Sequence, residues 1–313
     1  MTRNEGSTLM GPEVSAGMFT ADVKDSYADY GDAAIFVLTR IGGEGADLIT
    51  SSASEGADKY LALTDEERSV LEEMKNGPFA KRIVLVNTFN TPELGWLDEY
   101  DIDACLYIGG PGEVGLDAVT DILVGNTNPS GKLADTYAYD SFSSPAMANF
   151  GDFTYANADA VNNATSRKYL MYNEGIYVGY RYYETRYEDA VLGRGNAASA
   201  AGAWSSAGDW NYAEEVQFPF GFGLSYANFT QTLEVLHVAS SPKTAPVTVN
   251  VPNTSRMPAK HGSSLYAQAP HRATRTPQTP VYLYYLPNQD VLVLSIHSLD
   301  AGVLTSEALT TLA

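Results

Sequence analysis

The sequence predicts an α/β protein, with a mainly parallel sheet in a layered sandwich, followed by a small all-β unit. Apolar runs of strand length recur in the first half of the chain, and a segment with helix signals separates two of them. Composition then changes: residues 237–313 carry a net charge of +2 and 8 of the 15 prolines, whereas residues 1–236 carry −21. We therefore expect a domain change, with a linker within residues 227–245.

The first predicted strand is the continuous apolar run at residues 33–38, a pattern typical of a strand that is covered on both faces. A helix should begin after Thr64, because Thr64 and Glu67 have the spacing of a capping box. It should end near Asn76, since Gly77 and a proline follow.

Two further buried strands are predicted at residues 82–87 and 104–108, and a short helix at residues 114–123. Strands that alternate with helices favour a parallel sheet. Beyond residue 229, β-prone runs such as 247–251 and 281–285 are separated by turn residues, which predicts the all-β unit.

Charge and cysteine content exclude several function classes. The chain has 38 acidic and 19 basic residues, a formal net charge of −19, which is unsuited to nucleic acid or to an anionic membrane surface. Its one cysteine, Cys105, permits no internal disulfide and no cysteine-based zinc site. No apolar stretch approaches the roughly 18 residues of a membrane span. Residues 1–5 do not resemble a signal peptide, which favours the cytoplasm unless the chain is a fragment.

Histidine is missing from the first 236 residues. All four histidines lie beyond them: His237, His261, His271 and His297. A Ser-His-Asp relay, a Cys-His pair or a histidine-rich metal site therefore cannot form within residues 1–236. If this part of the chain does acid/base chemistry, carboxylates must do it.

Residues 110–115 match the dinucleotide-binding pattern G-x-G-x-x-G and follow a predicted strand. Two of these residues argue against phosphate binding: Pro111 lacks a backbone donor, and Glu113 brings a negative charge. We interpret the segment as a structural turn between a strand and a helix, and we expect no cofactor.

A second glycine-rich segment, residues 42–45, follows the first predicted strand at its carboxyl end, where open α/β sheets place their ligand sites. Glu44 is flanked there by three glycines, so its carboxylate is sterically free and suits a group that is presented to a substrate. The same pattern fits an ordinary solvated glutamate, and the residues alone leave both interpretations open.

Seven tyrosines crowd the segment between residues 169 and 187. They are Tyr169, Tyr172, Tyr177, Tyr180, Tyr182, Tyr183 and Tyr187. Flat aromatic faces suit sugar rings, but packing between neighbouring strands is the interpretation that the sequence favours.

Five segments, in order, resemble the carboxyl-terminal half of glycoside hydrolase family 3 enzymes of the β-glucosidase-like group. They are residues 40–47, 109–115, 125–133, 172–183 and 218–226. The resemblance implies an α/β-sandwich domain over residues 1–228, incomplete at its start. It also implies a partial fibronectin type III-like β-sandwich over residues 229–313, which matches poorly after about residue 271.

In this family both domains pack against a (β/α)8 barrel that holds a nucleophilic aspartate, and the α/β-sandwich contributes an acid/base glutamate. Glu44 falls on that glutamate's motif. The resemblance therefore implies part of a retaining, exo-acting β-glycosidase that acts on a β-linked oligosaccharide or glycoside. It implies no metal and no cofactor.

No barrel is recognisable in the 313 residues, so we expect a fragment that is inactive on its own. The alternative from another class is a non-catalytic module that binds carbohydrate or protein through an exposed apolar face. Dinucleotide binding is the third interpretation.

Overall fold

The computed structural model describes residues 13–40, 60–148, 153–157, 168–169, 172, 174–175, 177–190, 210–236, 239–240, 243–263 and 291–297. The helices are α1 (Ala21–Asp25), α2 (Asp65–Asn76), α3 (Leu116–Leu123), α4 (Pro145–Ala148), α5 (Tyr180–Ala190) and α6 (Tyr212–Glu215). The strands are β1 (Ala34–Thr39), β2 (Arg82–Asn87), β3 (Ala104–Tyr107), β4 (Tyr137–Ala138), β5 (Phe153–Thr154), β6 (Lys168–Tyr169), β7 (Val216–Phe218), β8 (Thr232–Leu236), β9 (Ala239–Ser240), β10 (Lys243–Asn250) and β11 (Val291–His297).

The chain divides into two compact units. The first comprises residues 1–119, 137–141 and 150–170, and the second comprises residues 120–136, 142–149 and 171–313. This division does not test the domain boundary expected between residues 228 and 229, which stays a prediction.

A parallel sheet in the order β1-β2-β3 organises the first unit. Each of the three predicted strands is present, with ends within one residue of the prediction. Burial on both faces is wrong for β1, where Ile35 and Val37 are exposed, and for β3, where three of the four residues are exposed. Phe36 of β1 and Val84 of β2 are register partners, and both are buried. Trp96 lies edge-on to Phe36, with 6.3 Å between the ring centroids. The predicted α/β class is confirmed.

Helix α2 begins and ends as its sequence predicts. The capping box is formed: Thr64 Oγ1 accepts from the Glu67 amide at 3.2 Å, and Glu67 Oε2 accepts from the Thr64 amide at 2.8 Å. Leu71 is completely buried on the inner side of the helix. At the other end, the Arg82 guanidinium donates to the carbonyls of Met74 and Lys75 and satisfies two acceptors that the helix leaves open.

The glycines of residues 110–115 serve the turn between β3 and α3. Gly112 has a φ of +65°, a left-handed conformation that favours glycine. A side chain at Gly115 would overlap the carbonyl of Pro111, which itself accepts a hydrogen bond from the Gly115 amide at 3.2 Å. The segment therefore forms the turn between a strand and a helix that the sequence predicts.

Four of the seven clustered tyrosines, from Tyr180 to Tyr187, lie in helix α5, so the interpretation of cross-strand packing is wrong for them. Tyr182 and Tyr183 are both buried, and the Tyr183 hydroxyl pairs with Ser143 Oγ at 2.8 Å. Packing between strands is right for Tyr169 in the first unit, whose ring stacks on its β5 partner Phe153.

In the second unit, residues 125–133 and 218–226 are joined by hydrogen bonds. Asn128 Oδ1 accepts from Ser225 Oγ and from the Tyr226 amide, both at 2.8 Å. The ammonium group of Lys132 donates to the Gly223 carbonyl, and burial lowers the pKa of Lys132. Two segments that are about ninety residues apart thus form one structural element.

The second unit also contains an antiparallel sheet in the order β11-β10-β8, with β9 paired to β10. The predicted run at residues 247–251 lies almost entirely within β10, whereas the run at residues 281–285 lies outside the described residues. An antiparallel β region after the α/β part is confirmed. Its fibronectin type III-like character stays a prediction.

Leu71→Ala tests the packing of α2. Because Leu71 is 0% exposed, its truncation should lower the free energy of unfolding by about 2–5 kcal/mol through lost burial and a cavity. Glu72→Ala, an exposed position on the same helix, should change it by less than about 0.5 kcal/mol. Urea unfolding followed by circular dichroism measures both, and equal effects would contradict the packing.

Candidate functional site at the carboxyl edge of the parallel sheet

The carboxyl ends of β1, β2 and β3 meet at one edge of the sheet, where open α/β sheets place ligands. Arg40 directly follows β1, and Thr88 directly follows β2. After β3 the chain reaches Gly109, whose carbonyl accepts from Asn87 Nδ2 at 2.6 Å. This edge is therefore tied together by side chains that lie just beyond the strands.

Arg40 is buried, with 7% of its surface exposed, and each of its five guanidinium N–H donors has a partner. Three bonds go to backbone carbonyls: Nε to Tyr60 at 2.5 Å, Nη1 to Thr39 at 2.7 Å and Nη2 to Ala62 at 2.6 Å. The other two go to the carboxylate of Glu67, from Nη1 to Oε1 and from Nη2 to Oε2, both at 2.7 Å.

Glu67 therefore has two roles. Its carboxylate forms a two-bond ion pair with Arg40, and the same carboxylate caps α2 through the Thr64 amide. Two buried opposite charges in this geometry satisfy one another's hydrogen-bonding groups. The pair joins the end of β1 to the start of α2.

Thr88 holds the backbone of Arg40. Its hydroxyl donates to the Arg40 carbonyl at 2.8 Å and accepts from the Asn90 amide at 3.0 Å. The threonine is buried, so its hydroxyl replaces the water that would otherwise solvate both groups. Arg40 is thus fixed through its side chain and through its main chain.

Glu44, the catalytic residue expected from the sequence, lies outside the described residues. The residues that flank its segment, residues 41–59, are described. Arg40 precedes the segment and Tyr60 follows it, and the Arg40 guanidinium carbon lies 5.7 Å from the centre of the Tyr60 ring. Beyond Tyr60, the Leu61 carbonyl accepts from the Glu93 amide at 2.9 Å.

Sequence reasoning identified Arg40 as part of a motif and Glu67 as a helix cap, but it did not pair them. The available signal was an arginine placed directly after a buried strand, a position where a charge needs a partner. Nothing local in the sequence indicates which of the many acidic residues that partner is.

Metal binding and membrane insertion find no support in the described part of the chain. It contains no group of three or more histidine, cysteine, aspartate or glutamate side chains placed to hold a metal ion. Its helices include none with the length and apolar character needed to cross a membrane.

Thr88→Val tests the hold on the Arg40 backbone. The substitution keeps the shape of the side chain, but it leaves the buried Arg40 carbonyl only the longer bond from Asn90 Nδ2 at 3.5 Å and removes the acceptor of the Asn90 amide. The free energy of unfolding should therefore fall by about 1–3 kcal/mol. Thr88→Ser, which keeps the hydroxyl, is the matched control and should lose less. If both variants unfold at the same urea concentration, the hydroxyl does not have this role.

The chain is similar to known proteins in sequence. The Glycosyl hydrolase family 3 C-terminal domain matches residues 19–180. A β-glucosidase from Ruminococcus albus is 30% identical over 244 residues, which cover 78% of this chain and 21% of that protein.

Two solved structures have a similar fold. A β-glucosidase from Paenibacillus barengoltzii is 27% identical, with a TM-score of 0.63 over 92% of this chain and 27% of that one. β-glucosidase 3B from Thermotoga neapolitana, in complex with glucose, is 24% identical, with a TM-score of 0.66 over 92% of this chain and 35% of that one.

This chain spans about a fifth of the length of the Ruminococcus albus relative. The matched domain covers slightly more than half of this chain, and it includes the parallel sheet β1-β2-β3, α2 and the Arg40–Glu67 pair. The chain therefore belongs to glycoside hydrolase family 3, of which it carries the C-terminal domain.

Proposed function

We propose that this chain is part of a retaining, exo-acting β-glycosidase of the β-glucosidase type, and that it supplies the acid/base glutamate, Glu44. The observation that supports this proposal most concerns the described residues on both sides of Glu44's segment. The segment begins at the carboxyl end of β1, and Arg40 fixes the residues on both sides of it. The carboxyl edge of an open parallel sheet is where α/β proteins commonly bind their ligands.

The substrate class follows from relatives. The Ruminococcus albus protein is a β-glucosidase, and the Thermotoga neapolitana enzyme was solved with glucose. A structural neighbour from Listeria innocua was solved with laminaribiose, although it resembles this chain only in fold. The substrate proposed for the complete enzyme is a β-linked glucoside or oligosaccharide.

The proposed reaction uses two carboxylates. Glu44, protonated, gives its proton to the glycosidic oxygen of the leaving group while a barrel aspartate attacks the anomeric carbon. A covalent glycosyl-enzyme forms, and the C–O bond to the leaving group breaks. Glu44, now deprotonated, takes a proton from water, which attacks the anomeric carbon and releases the sugar with net retention.

Geometry and acidity limit this mechanism. The two carboxyl groups must lie about 5–5.5 Å apart, and the pKa of the acid must be raised so that it keeps its proton near neutral pH. A neighbouring anion or a closed, sugar-filled pocket can raise that pKa. Both conditions depend on the partner surface that faces Glu44.

That partner is proposed to be a (β/α)8 barrel outside this chain, which provides the nucleophile and most of the sugar pocket. The proposed domains of the chain itself are the α/β-sandwich at residues 1–228 and the β region at residues 229–313. The chain on its own then carries one of the two carboxylates.

The chain alone should be inactive. Purified 1–313, incubated with an aryl β-glucoside, should release no aryl alcohol above the background rate, because the nucleophile is missing. Turnover that disappears in Glu44→Gln would contradict this expectation. Binding of glucose or cellobiose without turnover, unchanged in Glu44→Gln, would instead support the non-catalytic module. The observation that favours this alternative is the half-exposed apolar side chains of Ile35 and Val37 on β1.

When a family 3 barrel domain is added to the chain and activity is restored, the effect of Glu44→Gln on the rate should depend on the leaving group. Hydrolysis of glucosides with poor leaving groups should slow by about 10²–10⁴-fold, since these need a proton, whereas an activated aryl glucoside should slow far less in its glycosylation step. Glu55→Gln, in the same segment, is the control and should leave both rates unchanged. Equal slowing of both substrates by Glu44→Gln would remove the acid role.

A further inference from the structure

Nineteen residues, 41–59, separate Arg40 from Tyr60 in the sequence. The side chain of Arg40 nevertheless donates a hydrogen bond to the Tyr60 carbonyl. The guanidinium group of Arg40 bonds to Thr39 before the segment, and to Tyr60 and Ala62 after it. A single side chain thus bonds to the backbone on both sides of the segment.

The anchor is itself held rigidly. Glu67 engages both terminal nitrogens of Arg40, and Thr88 fixes the Arg40 carbonyl from β2. The guanidinium plane therefore has little freedom to rotate, since rotation would break bonds to four residues. Lysine cannot replace it, because an ammonium group has three donors and lacks the planar fork.

Stability alone is a weak explanation for such a pair. Two charges that leave water lose several kcal/mol each, and apolar residues of similar volume often serve a core as well or better. A second arginine, Arg82 of β2, bonds to the carbonyls of Met74 and Lys75 at the other end of α2. The bonds of Arg40 to the backbone on both sides of the segment are therefore additional to the contacts that hold α2.

We propose that Arg40 is a positioning residue, which sets the placement of the segment that carries Glu44 and thereby the reach of Glu44 to the glycosidic oxygen. The inference rests on the proposed function of Glu44. A displacement of about 1 Å can cost about 10²-fold in rate, because proton transfer requires the donor and the acceptor at hydrogen-bonding distance. Arg40 touches no substrate and acts through the backbone on both sides of the segment.

The first test measures placement without activity. Hydrogen–deuterium exchange of the purified chain should show amides within residues 39–63 exchanging about tenfold faster in Arg40→Lys than in the wild type. Arg82→Lys is the matched control: it weakens α2 at its other end and should leave that exchange unchanged. Equal exchange in the wild type and Arg40→Lys, or equal gains in both variants, would overturn the inference.

A second variant protects the test against misfolding. Arg40→Met combined with Glu67→Gln leaves no unpaired buried charge, and glutamine can still cap α2 through the Thr64 amide. This double variant leaves the carbonyls of Thr39, Tyr60 and Ala62 without their Arg40 donor, so it should unfold at a lower urea concentration than the wild type. It should nevertheless be folded without urea and should still show the faster exchange in residues 39–63. A folded double variant with wild-type exchange would overturn the inference.

The third test separates this inference from the proposed function. In the chain complemented by a barrel domain, Arg40→Lys should lower kcat more for poor leaving groups than for activated ones, with KM changed less than kcat. If Glu44→Gln shows no dependence on the leaving group, the proposed function fails while the exchange result stands. If Glu44→Gln shows it and Arg40→Lys slows all substrates equally, Arg40 is merely structural and the inference fails.

Discussion

The buried ion pair between Arg40 and Glu67 is the interaction on which the carboxyl edge of the sheet depends. It brings together the end of β1 and the start of α2, and the Thr88 hydroxyl adds β2 to the same connection. Removal of either charge alone would leave the other buried and unpaired, at a cost of about 3–5 kcal/mol. The pair is stable in this environment because the donors of the guanidinium and both oxygens of the carboxylate are satisfied.

The side chain of Glu67 takes part in both the secondary structure, as a helix cap, and the tertiary structure, as the partner of Arg40. As the third residue of α2, it lies at the positive end of the helix dipole, so its negative charge is favoured there before any tertiary contact forms. Arg40 then adds a full positive charge to the same carboxylate. The capping contact of the helix and the tertiary ion pair therefore favour the same side chain at this position, an agreement between levels that is typical of natural sequences.

Features that depend on residues close together in the sequence were predictable, whereas contacts between distant residues were not. The capping box of α2, the strand ends and the turn at residues 110–115 depend on neighbours in the sequence, and they were predicted. The partner of Arg40 lies 27 residues away, and no local pattern selects Glu67 from the other acidic residues. Helix α5 was missed because its tyrosines suggest strands. Strand preference measures how side chains fit a half-buried pleated surface, whereas Tyr182 and Tyr183 are buried on a helix whose sequence contains no glycine or proline.

The proposed acid/base role of Glu44 requires a carboxylate that is both placed and adjustable, and the bonds of Arg40 to the residues flanking its segment fit the first requirement. Glycine on both sides of Glu44 leaves few steric constraints on the backbone there, so the residue itself can adapt to a substrate. Adaptation is productive only within a small volume, because effective concentration falls as the accessible volume grows. Closing a segment of nineteen residues costs entropy, and fixing its ends through Arg40 meets that cost during folding rather than during each catalytic cycle. The bonds of Arg40 on both sides of the segment and the glycines beside Glu44 therefore complement one another in the proposed role.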